Sequence, residues 1–357
     1  MMCAQTASST RCFVQSMERW GEADGREVFL YTLTNESGMQ LKATNYGATL
    51  TDVVTPDRHG SLGSVVIGFD SLPGYTGRHP YFGSTLGRYA NRITGARIST
   101  AEGEFRLSAN RGEHIVHGGS GGFGRRVFRT VGAYAEGDTA AVVFAYDSPD
   151  GEEGFPGNLR LTVAYKLTAD GCVMIEYEAQ TDRETVVNIS NHSYFNLSAG
   201  RSDVSAHKVR IASAEYLATD SLGAYTGEFL PVAGTRYDFR TATAPGQRGY
   251  DVCYRLERGE GLKFAASAID TVSGRTLEAY TTEPGMQFFL PERDLSAYGG
   301  HGGAVHGRFH ALCFEMQHFP DSPRNDDFPS TTLRQGETYR QTTVYKFGTS
   351  QSYSKRD

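Results

Sequence analysis

At 357 residues the chain has room for two average domains or one large all-β domain, and enough length to bury a sizeable core. A hydrophobic share of 39% and a charged share of 21% are those of a soluble globular protein. The formal net charge of −6, with no dense Lys/Arg run, argues against a nucleic-acid surface, and no stretch approaches the uninterrupted apolar length needed to span a bilayer.

The five cysteines, Cys3, Cys12, Cys172, Cys253 and Cys313, are scattered and form no C-x-x-C pair. They suit free thiols in a reducing compartment, hence a cytoplasmic location. Residues 1–20 read as a flexible N-terminal tail, 21–348 as a single domain without a linker, and 349–357 as a frayed end. From residue 28 onward, side-chain alternation rather than helical periodicity dominates: VFLYTLTN (28–35), MQLKATNY (39–46), AVVFAYDS (141–148), LRLTVAYKLT (159–168) and CVMIEYEAQT (172–181). Turn clusters at 35–38, 56–60, 148–151 and 168–171 separate such runs. Many strands cut in this way indicate an all-β protein, a large antiparallel β-sandwich with little helix.

Several places along the chain carry polar chemistry in unusual settings. GRYANRI (87–93) concentrates Arg88, Asn91 and Arg92, which can grip hydroxyls or a carboxylate, or serve as salt-bridging loop residues. His117 precedes Gly118 and Gly119, where missing side chains permit close approach of another group. The stretch ETVVNISNHSYFNL (184–197) has the β-branched and aromatic content of a strand. Alternation then puts Asn188, Ser190, His192 and Tyr194 on one face, a polar surface that is either solvated or wraps something polar. A lone strand histidine is more often structural than catalytic, so His192 gains weight only from its company. Asp238 sits between aromatics in TRYDFR, and Gln287 between apolar neighbours in PGMQFF. Residues 293–307 form a Gly-rich polar loop. In RFHALCFEMQHF (308–319), Phe309, Ala311, Cys313, Glu315 and Gln317 share a face, so Glu315 lies mid-strand and must be paired, solvated or functional.

Some apparent motifs carry little. Gly119, Ser120, Gly121 and Gly124 match G-x-G-x-x-G without a βαβ frame. His114 with His117, and His306 with His310, have metal-ligand spacing but neither a helical frame nor further ligands, so no metal is expected. Ser193 adjoins His192 but points to the opposite side of a strand, which excludes a nucleophile–base couple.

Taken together, NYGATL (45–50), GRYANRI, VHGG (116–119), NHSYFNL (191–197), YDFR (237–240), PGMQFF (284–289), FEMQ (314–317) followed by Pro320-Asp321, and LRQGETY (333–339) closely resemble the aldose 1-epimerase, or galactose mutarotase, family across roughly residues 25–347. The resemblance implies the family's mutarotase-like β-supersandwich with an open sugar cleft on a curved sheet. It also implies an isomerase of free aldohexoses such as galactose and glucose, with no metal or organic cofactor, acting as a monomer or homodimer. Carried over position by position, it makes His192 the general acid and Glu315 the general base. Asn91, Arg92, His117, Asp238 and Gln287 become sugar-binding groups, with Ser193 and Tyr194 lining the site. The chain departs from the family pattern at Phe128, at 289–292, at Met316 and in the 293–307 loop. Readings from other classes are a glycoside hydrolase using Glu315 and Asp238 as flanking carboxylates, a non-catalytic sugar-binding sandwich, and a sugar-phosphate epimerase, which requires a clustered basic site.

Overall fold

The computed structural model describes residues 12–220, 223–259 and 261–350. Cys3 and the outer parts of both expected tails, 1–11 and 351–357, lie outside them. The predicted β character is observed: large antiparallel sheets carry the fold, and the one α-helix among the described residues is the five-residue turn Leu72–Thr76. No helix among these residues is long and apolar enough to cross a membrane. Cys12–Ala23 is a strand hairpinned onto Arg26–Asn35, so the expected N-terminal tail does not extend to residue 20.

Three sheets organise the molecule. An N-terminal five-stranded sheet runs from Cys12–Ala23 to Leu62–Ser64 in simple sequence order. An eight-stranded sheet holds the alternating runs Thr139–Ser148, Leu159–Thr168 and Cys172–Thr181, followed by Tyr339–Thr349, which pairs with Cys172–Thr181 across more than 150 residues of sequence. A second five-stranded sheet, in the order Tyr225–Pro231, Glu215–Thr219, Tyr250–Arg255, Gly285–Leu290 and Cys313–Gln317, carries the site. Its inner face sends Val252, Tyr254, Met286, Phe288, Phe314 and Met316 into the main apolar core. The rings of Tyr250, Phe239 and Phe314 pack around Phe288 at 5.3, 5.5 and 5.8 Å between centroids. Each such aromatic pair adds roughly 0.5–1.5 kcal/mol beyond its buried area. Met316, a departure from the family pattern, thus fills core rather than touching the site, and Phe128 is likewise sealed against Phe123 and Tyr146.

Period-2 alternation fixes what the outer face of this sheet presents. Gln287 stands opposite Glu315 on one side and Cys253 on the other, while Phe289 stands between Asp251 and Cys313. The strand expected over 308–319 begins only at Cys313, because Phe309 takes a left-handed backbone (φ 55°) that breaks the run.

The stretch 184–197 is not the continuous strand its composition suggests. It changes partners every few residues: Thr185–Val186 pairs with Thr332–Leu333, Ser190–Asn191 with Thr85–Leu86, and Phe195 bridges both Val66 and Leu312. The polar side chains explain this. Asn188 Nδ2 donates to the carbonyls of Ala90 (3.2 Å) and His318 (3.4 Å), Asn191 Nδ2 to Gly83 (2.8 Å), and Asn196 Nδ2 to Ser202 and His310 (2.8 and 2.7 Å). These amides do the work of ladder bonds, so the asparagines of this stretch are satisfied by backbone carbonyls.

Arg88, offered by GRYANRI as a possible grip, points away from the site and is 2% exposed. Its guanidinium donates to the carbonyls of Pro156 and Gly157 (both 2.9 Å), Ser148 and Pro149, and to the Ser148 hydroxyl (2.7 Å). Burial lowers its pKa to about 10, which leaves it cationic at neutral pH. Arg88→Met strands these carbonyls without a donor. It is expected to cost about 3 kcal/mol of stability in denaturant titration; a change within about 0.5 kcal/mol, the range of ordinary surface substitutions, would show that the guanidinium does not tie these loops together.

Candidate active site

The outer face of the site sheet floors an open cleft of about 1130 Å³. His192 and Glu315 meet at its base, 3.7 Å apart between Nε2 and Oε1, with side-chain exposures of 7% and 3%. His192 is held by main-chain bonds in both directions, its N–H donating to Ser84 O (3.0 Å) and its carbonyl accepting from Gly83 N–H (2.9 Å). Its ring lies nearly parallel to Tyr194 (centroids 4.9 Å, 4°) and edge-on to Phe289 and His117. Tyr194 is anchored through its hydroxyl to Pro80 O (2.9 Å) and so cannot swing aside.

GRYANRI and VHGG meet as a clasp. His117 N–H donates to Asn91 O (2.8 Å), and Asn91 N–H donates to His117 Nδ1 (3.2 Å). Both residues have left-handed backbone, φ 60° and 54°, a conformation that costs on the order of 1–3 kcal/mol per residue and is held here by the reciprocal bonds. The glycines do allow close approach: a Cβ on Gly118 would overlap the Gly87 carbonyl. The clasp presents Asn91, Arg92 and His117 to the cleft together.

Gln287, 1% exposed, donates from Nε2 to Asp251 Oδ1 (2.6 Å) and to the Tyr225 hydroxyl (3.3 Å). His192 Nδ1, Glu315 Oε2, Gln287 Oε1 and Arg92 Nε are all buried without a protein partner. Buried polar atoms are nearly always paired in folded proteins, so four orphans around one cleft mark groups waiting for a polar ligand.

Seven of the nine residues named from sequence therefore line one cleft: Asn91, Arg92, His117, His192, Tyr194, Gln287 and Glu315. Ser193 does not; its hydroxyl is spent inside the protein on Asn191 Oδ1 (2.5 Å). Asp238 does not either. It sits in a separate shallow depression with Arg240 and Thr241, ion-paired to Arg240 at 2.7 Å and accepting from the Arg240 main-chain N–H in a local turn. With Asp238 elsewhere, its pairing with Glu315 as flanking carboxylates is not formed. Asp251 holds the place in the cleft. The argument that singled out Glu315, a carboxylate mid-strand among apolar neighbours, applies equally to Asp251 between Tyr250 and Val252. Tyr81, Tyr225, Arg111 and Arg293 also line the cleft and carried no sequence signal. Arg293 and Tyr298 arrive on the Gly-rich loop, which is pinned by buried Leu295, by His301 Nε2 on Thr51 O (3.0 Å) and by an ion pair of His301 Nδ1 with Asp70 (2.8 Å).

Burial dominates the electrostatics. Desolvation, with Asp251's charge adding to it, pushes the Glu315 carboxyl well up, and desolvation assisted by His117 pushes the His192 imidazole well down. A neighbouring carboxylate by itself would favour a charged imidazole, but removal from water outweighs attraction at 3.7 Å with no hydrogen bond formed. His117 is lowered to about 3 by desolvation and by the guanidiniums of Arg111 and Arg92. The Asp251 carboxyl is also pushed up by its crowded wall and pulled back by Gln287, although it stays open to cleft solvent.

Possible ligand atoms of His117, His192 and Glu315 lie within 4.8 Å of one another, the only such three-residue group among the described residues. They fit a metal poorly. Asn91 N–H takes the Nδ1 lone pair of His117, and the neutral ring then keeps its proton on Nε2, so neither nitrogen is free to coordinate.

Comparison with known proteins follows the same lines. The sequence profile of the family described as aldose 1-epimerase matches residues 30–346. Galactose mutarotase of Mus musculus is 39% identical over 317 residues, covering 87% of this chain and 91% of the relative. Aldose 1-epimerase of Escherichia coli K12 is 36% identical over 339 residues, covering 91% and 96%. Among solved structures, an aldose epimerase homologue from C. elegans superposes with a TM-score of 0.81 at 26% identity, covering 88% of this chain and 97% of that one. Galactose 1-epimerase from Lactobacillus acidophilus gives 0.79 at 25%, covering 95% and 98%.

The clasp and the nearby guanidiniums make a spectroscopic prediction. ¹⁵N NMR should show His117 as the neutral Nε2–H tautomer at neutral pH, still uncharged at about pH 5, far below the ordinary value of about 6.5. An imidazolium signal at pH 6 would contradict this account of the cleft.

Proposed function

The chain belongs to the aldose 1-epimerase family, a family of isomerases, and from that premise we propose how the cleft interconverts the α and β anomers of free hexoses such as galactose and glucose. The observation that carries the reading is the buried His192–Glu315 couple, 3.7 Å apart and surrounded by unpartnered polar atoms. Ring opening needs a proton removed from the anomeric hydroxyl and one given to the ring oxygen. Glu315 takes the first as general base, the electron pair forms the C1 carbonyl, and the C1–O5 bond breaks as His192 protonates O5. Rotation about C1–C2 followed by the reverse transfers closes the other anomer. Asn91, Arg92, Gln287 and Asp251 hold hydroxyls, so that rotation is confined to the reacting carbon, and His117 donates from Nε2. The four free cysteines among the described residues, Cys12, Cys172, Cys253 and Cys313, support a reducing, cytoplasmic setting.

The couple carries one proton throughout, and burial decides where it rests. With Glu315 pushed up and His192 pushed down, the uncharged pair, carboxylic acid and neutral imidazole, is favoured. That is the protonation state reached when the ring is open. Burial of the couple therefore lowers the cost of the open-chain intermediate, while sugar hydroxyls supply hydrogen bonds to the charged pair needed at the start.

Glu315→Gln and His192→Asn should each lower kcat/KM for freshly dissolved α-galactose, followed by polarimetry, by at least about 10²-fold, with a double variant far less than multiplicatively worse. Folded Glu315→Gln protein with full activity would end this mechanism. The pH profile is a separate check. A second proton must go onto His192, whose pKa is depressed, so the acid limb lies below 6.5; the last proton leaves Glu315, whose pKa is elevated, so the alkaline limb lies above 4.5. An acid limb at about pH 6.5, where an ordinary histidine titrates, would show that His192 is not buried as described.

A further inference from the structure

Residues 79–84 organise the acid side of the cleft. Gly83 N–H and Ser84 O hold His192 by both of its main-chain groups, at 2.9 and 3.0 Å. Pro80 O anchors the Tyr194 hydroxyl (2.9 Å), and Gly83 O accepts from the Asn191 amide (2.8 Å). Ser84 N–H closes the turn onto Tyr81 O (3.0 Å), and a Cβ on Gly83 would overlap the Leu50 carbonyl, so the segment has little freedom to be redirected.

Within this turn Tyr81 takes a left-handed backbone, φ 61°. For a bulky side chain that is a genuine outlier, and glycine or asparagine would occupy the position with less strain. The turn by itself therefore does not call for a tyrosine, and residues strained in this way cluster at sites of function. The Tyr81 ring stands edge-on to His117 (centroids 5.0 Å, 64°) and parallel to His192 (6.3 Å, 9°), within packing range of both imidazoles. It is half-buried and lines the cleft. The hydroxyls of two other cleft tyrosines are bonded inside the protein, Tyr194 to Pro80 O and Tyr225 from Gln287 Nε2. That of Tyr81 has no hydrogen-bond partner among the described residues. Desolvation pushes its pKa up from an already high value, so at neutral pH the phenol keeps its proton and donates.

In the mechanism above, both imidazoles beside Tyr81 face the reacting edge of the sugar. As the anomeric hydroxyl gives its proton to Glu315 and the C1–O5 bond breaks, negative charge gathers on the anomeric and ring oxygens. A neutral donor fixed beside that edge stabilises the charge more in the transition state than in the hemiacetal. We propose that Tyr81 is a further substrate-contacting residue, whose hydroxyl donates a hydrogen bond to the reacting edge of the sugar beside His117 and His192. The proposal rests on the mutarotation reading and adds a donor to it; Glu315 and His192 remain the groups that exchange a proton.

Tyr81→Phe removes the hydroxyl alone, keeps ring and backbone, and strands no protein partner, so the variant retains its fold. Followed by polarimetry over a range of freshly dissolved α-galactose concentrations, it should lower kcat about tenfold or more while KM stays within about twofold. Its midpoint of urea unfolding should match that of the unsubstituted protein. A structural tyrosine predicts the reverse, a lowered midpoint with activity per folded molecule intact, and that result overturns the proposal. So does a loss confined to KM, which would place the hydroxyl on a spectator oxygen. Unchanged kcat and KM overturn it as well and leave mutarotation standing. Unsubstituted protein that does not speed the exchange of galactose anomers removes the mutarotation reading itself and this proposal with it.

Discussion

An acid and a base buried side by side, close but not hydrogen-bonded, set the terms for the rest of this cleft. At 3.7 Å in water a carboxylate and an imidazole would form an ordinary ion pair. Sealed at 5% and 2% exposure, each loses more by leaving water than it gains from the other, so the neutral arrangement is favoured. In the mechanism proposed above, the open-chain state of the sugar is the one in which both groups are uncharged, so that imbalance would favour it. A direct hydrogen bond between them would hold the proton in place and leave neither oxygen nor nitrogen facing a substrate.

Holding two such groups unpaired demands a rigid surround. Glu315 is fixed by the register of the site sheet, whose inner face is anchored by aromatic packing around Phe288. His192 lies on a segment with almost no ladder of its own, and Asn188, Asn191 and Asn196 replace strand bonds with side-chain amides. Irregular backbone can then cross between sheets without leaving carbonyls unpaired. Arg88 does similar work, one buried guanidinium gathering carbonyls from both arms of the connection between Thr139–Ser148 and Leu159–Thr168. Stability is therefore concentrated in polar groups that never touch the cleft.

The rim obeys different rules. Arg293 and Tyr298 sit on a loop held to the N-terminal sheet by His301, Asp70 and Leu295, and Arg111 sits in the turn that precedes the clasp. These positions line the cleft without forming part of the buried couple.

The all-β character was legible in the sequence because alternation at period 2 is a local property, and runs such as LRLTVAYKLT record it directly. Asn91, Arg92, His117, His192 and Glu315, which line one cleft, were singled out through their motifs, GRYANRI, VHGG, NHSYFNL and FEMQ, although these span 228 residues between Gly87 and Glu315. What failed did so for non-local reasons. Asp238 and Asp251 look alike as single carboxylates among aromatics; only cross-strand register places Asp251 beside Gln287 and leaves Asp238 paired with Arg240 on the surface. Residues 184–197 have a strand's composition, but their asparagines find carbonyls on distant segments, and those bonds exist only after the chain has folded. The protonation of His192 was not legible in the sequence, because the sign of a pKa shift depends on how completely a group leaves water. Pattern determined the elements and the chemical groups; three-dimensional packing decided which carboxylate faces the cleft and how fully each polar group leaves water.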